Sequence, residues 1–367
     1  MTVSVYDWRT ALRELSGPWG ELVARRPYNP SLHPRWLDAT LSAWGLDTSA
    51  RVALVRNGAA FAVMPFLVRT QHILGLPFRC LELCSNVFSY HAEIPCDGAL
   101  DDLLQRFLSA AQLPPWDVFR VTNVVADSQT ALAMKNFPRK AALSVRSAEV
   151  SPFLKIDRGW NDYLKTRTKK VRANISRSQR LMQQAGETGM TWYERGCDTR
   201  PLLQQMLEIE AHSWKLNAGV AIVAATPQCA YYERLLPWLA ENGMLANVLH
   251  VNDRPVAYTL CAVWQGWAGQ LKTSFASDLR DAGSRVIDSS LERAFTTGCT
   301  EYDFLGAAAP HKMRWTDQVR AHEELWLFAS HLRGRALGAI KTIVDRAHKW
   351  REARHTARTA SQENSET

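Results

Sequence analysis

The sequence predicts an α/β (α+β) fold with two domains, each built around a mixed sheet. Two observations support this prediction. The chain has 367 residues, 46% of them hydrophobic, which suffices for a large core and favours two domains over one. Helical and strand-like segments alternate, and the second half repeats the order of the first. We therefore expect domains at residues 1–150 and 151–332, followed by a basic tail at 333–367 that is helical or disordered.

The first half begins with amphipathic helical patterns and a hairpin. Helices are expected at residues 8–25, 34–44 and 101–112, and strands at 50–55, 59–69, 81–84, 92–95 and 117–123. Asn57-Gly58 separates the first two strands, and this dipeptide favours a two-residue turn. Pro65 lacks a backbone N–H, so its strand is expected at a sheet edge or to contain a bulge.

The second half repeats the alternation with longer elements. Helices are expected at residues 161–184, 201–215, 231–242 and 283–297, and strands at 152–156, 190–194, 245–251, 256–264, 267–275, 302–305 and 323–329. Pro201 favours the first turn of its helix, and Gly243 and Gly298 are placed to end theirs. In the tail, residues 337–350 are expected to be helical and those beyond about 355 to be disordered.

Composition and charge narrow the possible partners. The formal net charge of +8 favours anionic groups, such as the phosphates of a cofactor, a nucleotide-linked substrate or a nucleic acid. The seven cysteines are scattered, and Cys80 and Cys84 have no second pair to complete a zinc site, so we expect reduced core residues and no metal. The chain has no run of about 18 apolar residues, and its start does not fit a signal peptide, because Asp7 and Glu14 interrupt it. The expectation is a cytoplasmic protein without a membrane span.

Residues 301–315, with the sequence EYDFLGAAAPHKMRW, form the most informative segment. A strand-like run contains Asp303 and ends at Gly306, and a loop of small residues then leads to His311 and Lys312. A carboxylate on a strand followed by an ammonium at the mouth of a loop is typical of an assembled site.

The strand YDFL at 302–305, followed by Lys312-x-x-Trp315, resembles the end of the CelD/BcsL-like acyltransferases. This family belongs to the GNAT superfamily and is related to the Fem-type aminoacyl transferases. Three more segments are similar to its Ser-Trp-Lys segment, central strand and basic helix, at residues 211–215, 271–275 and 160–186. The resemblance covers roughly residues 8–330 and implies two tandem GNAT-like domains with a cleft between them.

The resemblance also implies a donor site. In GNAT enzymes a loop of the form Arg/Gln-x-x-Gly-x-Gly/Ala holds the pyrophosphate of coenzyme A through backbone N–H groups and a helix N-terminus. Arg280 and Gly283 match this loop and Ser284 lies within it, whereas Arg285 replaces the final small residue. Acetyl-CoA or another acyl-CoA is therefore the implied co-substrate. The alternative for this loop is an ordinary turn into a helix.

Lys272 lies in the middle of a predicted strand, where period-two alternation puts it on one face with Gln270 and Ser274. A buried ammonium requires an acidic partner, and Asp303 is the candidate partner of Lys272. The face that carries Lys272 either lines a donor channel, or Lys272 and Asp303 form a structural ion pair. Asp303 is in turn expected to orient Lys312 or Lys272, or to accept a proton from the acceptor.

Lys312 corresponds to a lysine that in Fem-type enzymes is thought to contact the substrate or the reacting carbonyl, where an ammonium stabilises an oxyanion. His311 departs from the tyrosine usual in the family. It either shuttles protons near neutral pH or lies exposed on the loop.

The helix at 201–215 supplies three more candidates. Glu210 interrupts its apolar face, either as a buried acid facing the cleft or as a residue at the rim. Trp214 and Lys215 lie at the end of this helix, where both are candidates for contact with the substrate. The alternative is that Trp214 packs in the core and Lys215 faces solvent.

The basic helix has seven Lys and Arg side chains and no acid between positions 163 and 186. It is either a solvated surface or a binding surface for a phosphorylated acceptor or tRNA, with Lys170 and Arg177 as candidate contacts. In the first half, Tyr90 and His91 are weaker candidates for the acceptor side of the cleft.

The expected function is transfer of an acetyl or other acyl group from an acyl-CoA to an amine or hydroxyl of a small or carbohydrate-linked acceptor. No cysteine or serine lies in a nucleophile setting, which favours direct attack. Two alternatives stay open: an aminoacyl-tRNA-dependent transferase, favoured by the positive charge, and a non-catalytic polysaccharide-assembly protein.

Overall fold

The computed structural model describes residues 2–25, 29–84, 90–138, 142–279 and 281–363, with side chains up to residue 347. The first half contains, in chain order, β1 (Thr2–Asp7), α1 (Trp8–Ala24), α2 (Pro34–Ala43), β2 (Arg51–Asn57), β3 (Ala60–Ile73), β4 (Leu76–Leu83), β5 (Cys96–Asp97), α3 (Leu100–Leu108), β6 (Val118–Val125), α4 (Gln129–Lys135) and β7 (Leu143–Ser147).

The rest of the chain contains β8 (Ser151–Lys155), α5 (Trp160–Thr166), α6 (Lys169–Ala185), β9 (Thr188–Glu194), α7 (Arg200–Ala211), α8 (Trp214–Asn217), α9 (Pro227–Asn242), β10 (Met244–Val251), β11 (Arg254–Trp264), β12 (Trp267–Phe275), α10 (Ala282–Thr296), β13 (Glu301–Asp303), α11 (Pro310–Met313), β14 (Val319–Arg320), β15 (His322–Phe328) and α12 (Leu332–Glu363). The pattern-based expectation for 267–275 agrees with β12 at both ends.

Two mixed sheets form the frame of the molecule. In the first sheet the strand order is β1-β2-β3-β4-β6-β15-β7, with β5 beside β3, and in the second it is β14-β8-β13-β12-β11-β10-β9. One parallel pair in each sheet, β4 with β6 and β12 with β13, makes the sheets mixed. This architecture confirms the predicted fold class of two tandem GNAT-like domains with mixed sheets.

The strand β15 connects the end of the chain to the first sheet. It pairs antiparallel with β6 and β7, although in sequence it follows the elements of the second sheet. Sequence periodicity predicts that this segment is a strand but contains no information about its partner. The domain limits drawn from the sequence stay predictions.

The two halves also share a hydrophobic core. Helix α2 packs against α9, and Trp36 of α2 is fully buried in one cluster with Leu235 and Leu239 of α9 and with Leu305, which follows β13. Because these side chains exclude water between the sheets, the cleft residues of both halves are held in fixed positions.

Several expected elements differ in detail from the structure. The hairpin turn comprises Gly58 and Ala59, one residue later than expected, because Asn57 still pairs with Ala60; Gly58 has a φ of +62°. Pro65 lies inside β3 rather than at an edge. On this side of β3 the hydrogen-bonding partner changes near Pro65. The N–H of Val63 donates to the carbonyl of Pro95 at 2.9 Å, whereas the pairing with β4 starts at Phe66, so the missing N–H of Pro65 lies between the two partners.

The predicted helix at 161–184 is two helices. Arg167 has an extended backbone with ψ of 156°, and the Thr168 hydroxyl accepts from the N–H of Val171, which starts α6. The strand expected at 92–95 is irregular, and the short β5 follows it. The tail is helical through Glu363, so the expectation of disorder beyond 355 is wrong up to that residue.

Six of the seven cysteines are buried and Cys197 is half-buried, all as free thiols, in agreement with the prediction that they are core residues. Among the described residues, none of the helices combines the length and the apolar character needed to cross a membrane.

Candidate active site

A cavity of about 690 Å³ opens between β12 and β13, and we call it the β12–β13 cavity. The two parallel strands pair from Trp267 with Glu301 to Gly269 with Asp303. There β13 ends, whereas β12 continues to Phe275. The resulting gap in the sheet is closed on one side by the N-terminus of α10 and on another by the loop that leads to α11.

Many of the predicted site residues meet in this cavity. Its lining includes Tyr90, Trp214, Lys215, Lys272, Gly283, Ser284, His311 and Lys312. Other predicted residues lie outside the lining, namely Glu210, Asp303, His91, Lys170, Arg177 and Arg285. Arg280 falls outside the described residues. The sequence pattern therefore located residues from both halves that share one cavity, although it did not separate lining residues from those behind the wall.

A bulge in β12 aims several consecutive side chains at the cavity. The register with β11 shifts so that Leu260 pairs with Lys272 and Cys261 with Gln270, which leaves Leu271 as the extra residue. Residues 270–273 consequently all line the cavity, whereas Ser274 is fully buried away from it. The expectation that Gln270, Lys272 and Ser274 share one face is wrong, because the bulge interrupts the alternation.

Glu210 is the centre of a buried charged group behind the cavity wall. It accepts hydrogen bonds from Tyr258 Oη at 2.6 Å and from the N–H of Ile222 at 3.2 Å. The ammonium groups of Lys215 and Lys272 lie 3.6 and 3.7 Å from its Oε1. We call Glu210, Tyr258, Lys215 and Lys272 the Glu210 cluster. Glu210, rather than the expected Asp303, is thus the partner of Lys272.

The lysines of the cavity are easier to deprotonate than ordinary lysines. Burial lowers the pKa of Lys215 to about 8, although the attraction of Glu210 opposes the shift. Burial also lowers the pKa values of Lys272 and Lys312, against the attraction of Glu210 and Asp303, respectively. Burial and the neighbouring charges of Lys312 and Arg314 lower the pKa of His311, so its imidazole is neutral at physiological pH.

Asp303 belongs to a second buried group, which joins the two sheets. His91 Nε2 donates to Asp303 Oδ2 at 3.1 Å, and His91 Nδ1 lies 3.0 Å from His322 Nε2 of β15. Arg320 forms an ion pair with the same carboxylate, and Ser151 donates to its other oxygen at 2.9 Å. We call these five residues the Asp303 cluster.

Electrostatics keep the Asp303 cluster charged at its carboxylate. Burial raises the pKa of Asp303, but the hydrogen bond from His91 and the charge of Arg320 outweigh this effect and lower the pKa to about 2. Burial and the neighbouring His91 lower the pKa of His322 to about 4, so this imidazole is neutral near pH 7. His91 is therefore a buried link between halves rather than an exposed residue of the cleft.

Asp303 reaches Lys312 through the backbone of Leu305. Asp303 Oδ1 accepts from the N–H of Leu305 at 2.9 Å, and the carbonyl of Leu305 accepts from Lys312 Nζ. Leu305 has a φ of +49°, an unfavourable conformation for a non-glycine residue, which these two contacts help to hold. Asp303 thus fixes the turn that positions the Lys312 ammonium.

The start of α10 forms the opposite wall. Asp281, at the N-cap, has a φ of +67° and pairs with Arg177 of α6 at 2.9 Å. A Cβ on Gly283 would lie 2.4 Å from the ring of Phe275, so only glycine permits this close packing of helix and strand. The first N–H groups of a helix have no acceptor within it, and Gly283 and Ser284 present theirs beside the cavity.

Several residues of the site were not among the candidates from the sequence, and they are Ser151, Asp281, Tyr258, Arg314, Arg320 and His322. Arg314 follows Lys312 closely in sequence, so the same loop argument would have included it. His322 and Arg320 carried no such signal, because their importance arises from the long-range pairing of β15.

Comparison with known proteins gives a family for the second half. Residues 169–313 match the family model described as an acetyltransferase (GNAT) domain. This segment contains the whole Glu210 cluster and the lining of the β12–β13 cavity except Tyr90 and Arg314. No curated protein shows significant similarity to the chain.

Solved structures are similar in fold to about 90% of the chain. A conserved protein of unknown function from Bacteroides thetaiotaomicron VPI-5482 is similar with a TM-score of 0.60 and 13% identity, over 89% of this chain and 100% of that one. FemX is similar with a TM-score of 0.57 and 12% identity, over 90% of this chain and 98% of its own. At these identities the similarity concerns the fold alone. The family match therefore gives the chain a GNAT-type acetyltransferase domain at residues 169–313, and this domain supports an acyltransferase enzyme.

Proposed function

We propose that the protein transfers an acyl group from an acyl-CoA to an amine or hydroxyl of a small acceptor, as in the CelD/BcsL-like family, with the β12–β13 cavity as the donor site. The observation that best supports this proposal is the convergence at one gap in the sheet of a helix N-terminus and three lysines, Lys215, Lys272 and Lys312. The cavity volume also lies within the range of cofactor sites, about 300–1,000 Å³.

The start of α10 suits the pyrophosphate of the donor. The free N–H groups of Gly283 and Ser284 and the positive end of the helix dipole favour an anion at this point. Arg314, which lines the cavity and pairs with Asp288 at 3.2 Å, adds positive charge nearby. The thioester would then extend along β12 towards Lys312 and His311.

In the proposed reaction, the lone pair of the acceptor nitrogen or oxygen attacks the thioester carbonyl carbon. The carbon–sulfur bond breaks, and the coenzyme A thiolate leaves. The neutral imidazole of His311 accepts the proton that the nucleophile loses, and that proton then passes to the thiolate or to solvent. The Lys312 ammonium stabilises the negative charge that develops on the carbonyl oxygen.

We assign the two buried carboxylates to positioning rather than to proton transfer. Asp303 and Glu210 are both fully buried, so neither reaches an acceptor in the cavity directly. Asp303 positions Lys312 through Leu305, and Glu210 holds Lys215 and Lys272 at the cavity wall.

A second function is favoured by the surface of α6. Its cations Lys169, Lys170, Arg172 and Arg180 are exposed, and the helix contains no acid. Such a surface also suits the backbone of a tRNA, in which case the donor is an aminoacyl-tRNA. The location in the cytoplasm is part of either proposal.

Binding measurements with purified protein separate the two donors. We expect calorimetric titration to show saturable binding of acetyl-CoA with a Kd below about 100 μM, in keeping with usual substrate affinities. Lys170→Ala should not change it, since Lys170 lies outside the cavity. Absence of acetyl-CoA binding together with salt-sensitive binding of tRNA, lost in Lys170→Ala, would favour the second function.

A further inference from the structure

A second and larger cavity, of about 880 Å³, lies between the two halves beside α2, and we call it the α2 cavity. One wall comes from the first half and includes Leu37 and Leu41 of α2. The opposite wall is the segment from α8 to the start of α9. On this segment Leu216, Val220 and Val223 are each more than 40% exposed. Apolar side chains exposed in a concave surface indicate a binding site for an apolar group.

The α2 cavity and the β12–β13 cavity meet at Lys272. Lys272 lines the latter, and its Nζ donates to the carbonyl of Val220, which lines the former, at 3.3 Å. With its amide oriented to satisfy both neighbours, Gln228 of the α2 cavity accepts from the same Nζ at 3.1 Å and donates to Ala221 at 3.1 Å. Lys272, with Gln228 and the backbone of Val220, therefore separates the two cavities.

Part of the lining of the α2 cavity is charged, namely Arg69, Glu82 and Arg120. Arg120 lies between Glu82, at 3.5 Å, and Glu324, and these two acids compensate its charge. Arg69 also lines the cavity, on an exposed stretch of β3, and within the described part of the chain it has no ion pair or side-chain hydrogen bond. Burial raises the pKa of Glu82, and the charges of Arg120 and Arg69 oppose this shift, but no acid among the described residues binds the Arg69 guanidinium directly. This guanidinium can therefore bind a ligand with a carboxylate, sulfonate or phosphate.

We propose that the α2 cavity binds the acceptor, and that the acceptor is a small molecule with an apolar body and an anionic group. The apolar body lies between α2 and the segment 216–223, and the anionic group lies at Arg69. The reacting amine or hydroxyl then lies next to Lys272 and Gln228. For transfer these two side chains must move aside, so that the nucleophile reaches the thioester carbonyl at Lys312 and His311 in the β12–β13 cavity. This assignment rests on the proposed donor site, because the α2 cavity adjoins the donor only if the donor binds in the β12–β13 cavity.

Anilinonaphthalene sulfonate, an apolar anion that fluoresces when bound, is a suitable probe. We expect saturable binding to the full-length protein. Val223→Trp, which fills the cavity from an exposed position, should weaken binding at least tenfold, and Arg69→Ala at least fivefold. The matched control is Arg13→Ala, an exposed arginine of α1 outside both cavities, which should leave the Kd unchanged.

Competition identifies the cavity and the class of acceptor. Aminomethylbenzoate, which has an apolar ring, an amine and a carboxylate, should displace the probe, whereas glucosamine and acetyl-CoA should not. The proposal is overturned if the wild type shows no saturable probe binding, if acetyl-CoA displaces the probe, if glucosamine competes as well as aminomethylbenzoate, or if both cavity variants bind normally. Loss of acetyl-CoA binding with intact probe binding would instead refute the donor site.

Discussion

The Asp303 cluster and the Glu210 cluster both have a fully buried carboxylate with cationic partners, but they differ in what those partners touch. Asp303 is bound by residues of both halves, among them His91 and Arg320, which do not line the β12–β13 cavity. Glu210 is bound by Lys215 and Lys272, which line it. The first cluster therefore joins the two sheets, whereas the second sets the charge of the cavity.

The largest expected effect is on stability, at Asp303. Asp303→Ala leaves Arg320 with Glu301 as its remaining partner and removes the acceptor of the hydrogen bonds from His91, Ser151 and the Leu305 N–H, so it should lower the free energy of unfolding by about 3–5 kcal/mol. Denaturant titration measures this loss. The control Asp157→Ala, in an exposed pair with Arg158, should change stability by no more than about 0.5 kcal/mol.

An Asp303→Ala protein that unfolds at the same denaturant concentration as the wild type would contradict the role of this cluster as a junction. Asp303→Asn keeps part of the hydrogen bonding and is the variant for measuring turnover. It should reduce kcat at least tenfold through the displaced Lys312, with the acetyl-CoA Kd nearly unchanged.

The next effect concerns the charge of the cavity. In Glu210→Gln the attraction that raises the pKa values of Lys215 and Lys272 is lost, so both values fall further. Ammonium groups that the wild type keeps are then lost between pH 6.5 and 7.5, so the acetyl-CoA Kd of the variant should rise more steeply over this range than that of the wild type. Calorimetry at pH 6.5 and 7.5 measures the difference in Kd between the two proteins, which should be smaller at the lower pH because protonation restores the charge.

Glu208→Gln is the matched control for Glu210, since Glu208 lies exposed on the same helix. Equal effects of the two substitutions would mean that general surface charge, rather than the Glu210 cluster, governs donor binding.

A smaller effect is expected where α10 meets β12. Gly283→Ala places a methyl group 2.4 Å from the Phe275 ring, so the helix start or the ring must move, and the acetyl-CoA Kd should rise about fivefold at a cost in stability of about 1–3 kcal/mol. Gly17→Ala, at an exposed position of α1 where the new Cβ lies more than 4 Å from every side chain other than those of its chain neighbours, should instead leave the acetyl-CoA Kd unchanged. Normal donor binding in Gly283→Ala would refute the helix N-terminus as the pyrophosphate site.

The extent to which the sequence predicted the site follows from the range of each interaction. Lys312 and His311 could be predicted because they follow a strand and a short loop that are close to them in sequence. Gly283 could be predicted because the start of a helix has a characteristic residue pattern. The partner of Lys272 could not be predicted, since Glu210 is distant in sequence and the bulge at Leu271 changes which residues face the cavity.

The fold shows the same division. Hairpins and the long strands of the second half follow from local alternation and turn residues. The insertion of β15 into the first sheet depends on pairing with β6 and β7, which no local pattern specifies. This pairing also brings His322 to His91, so the Asp303 cluster could not be predicted before the topology was known.

The most direct test of the account is the acetyl-CoA Kd of the wild type as a function of pH. Because the pKa of Lys215 is about 8, the ammonium is present below this pH and is lost above it. Because the ammonium fraction of Lys215 falls about tenfold between pH 7 and pH 9, acetyl-CoA binding should weaken about tenfold over this range. Lys215→Arg, which keeps its charge, should reduce this dependence. A Kd that stays constant over this range, or a wild type that does not bind acetyl-CoA, would contradict the account.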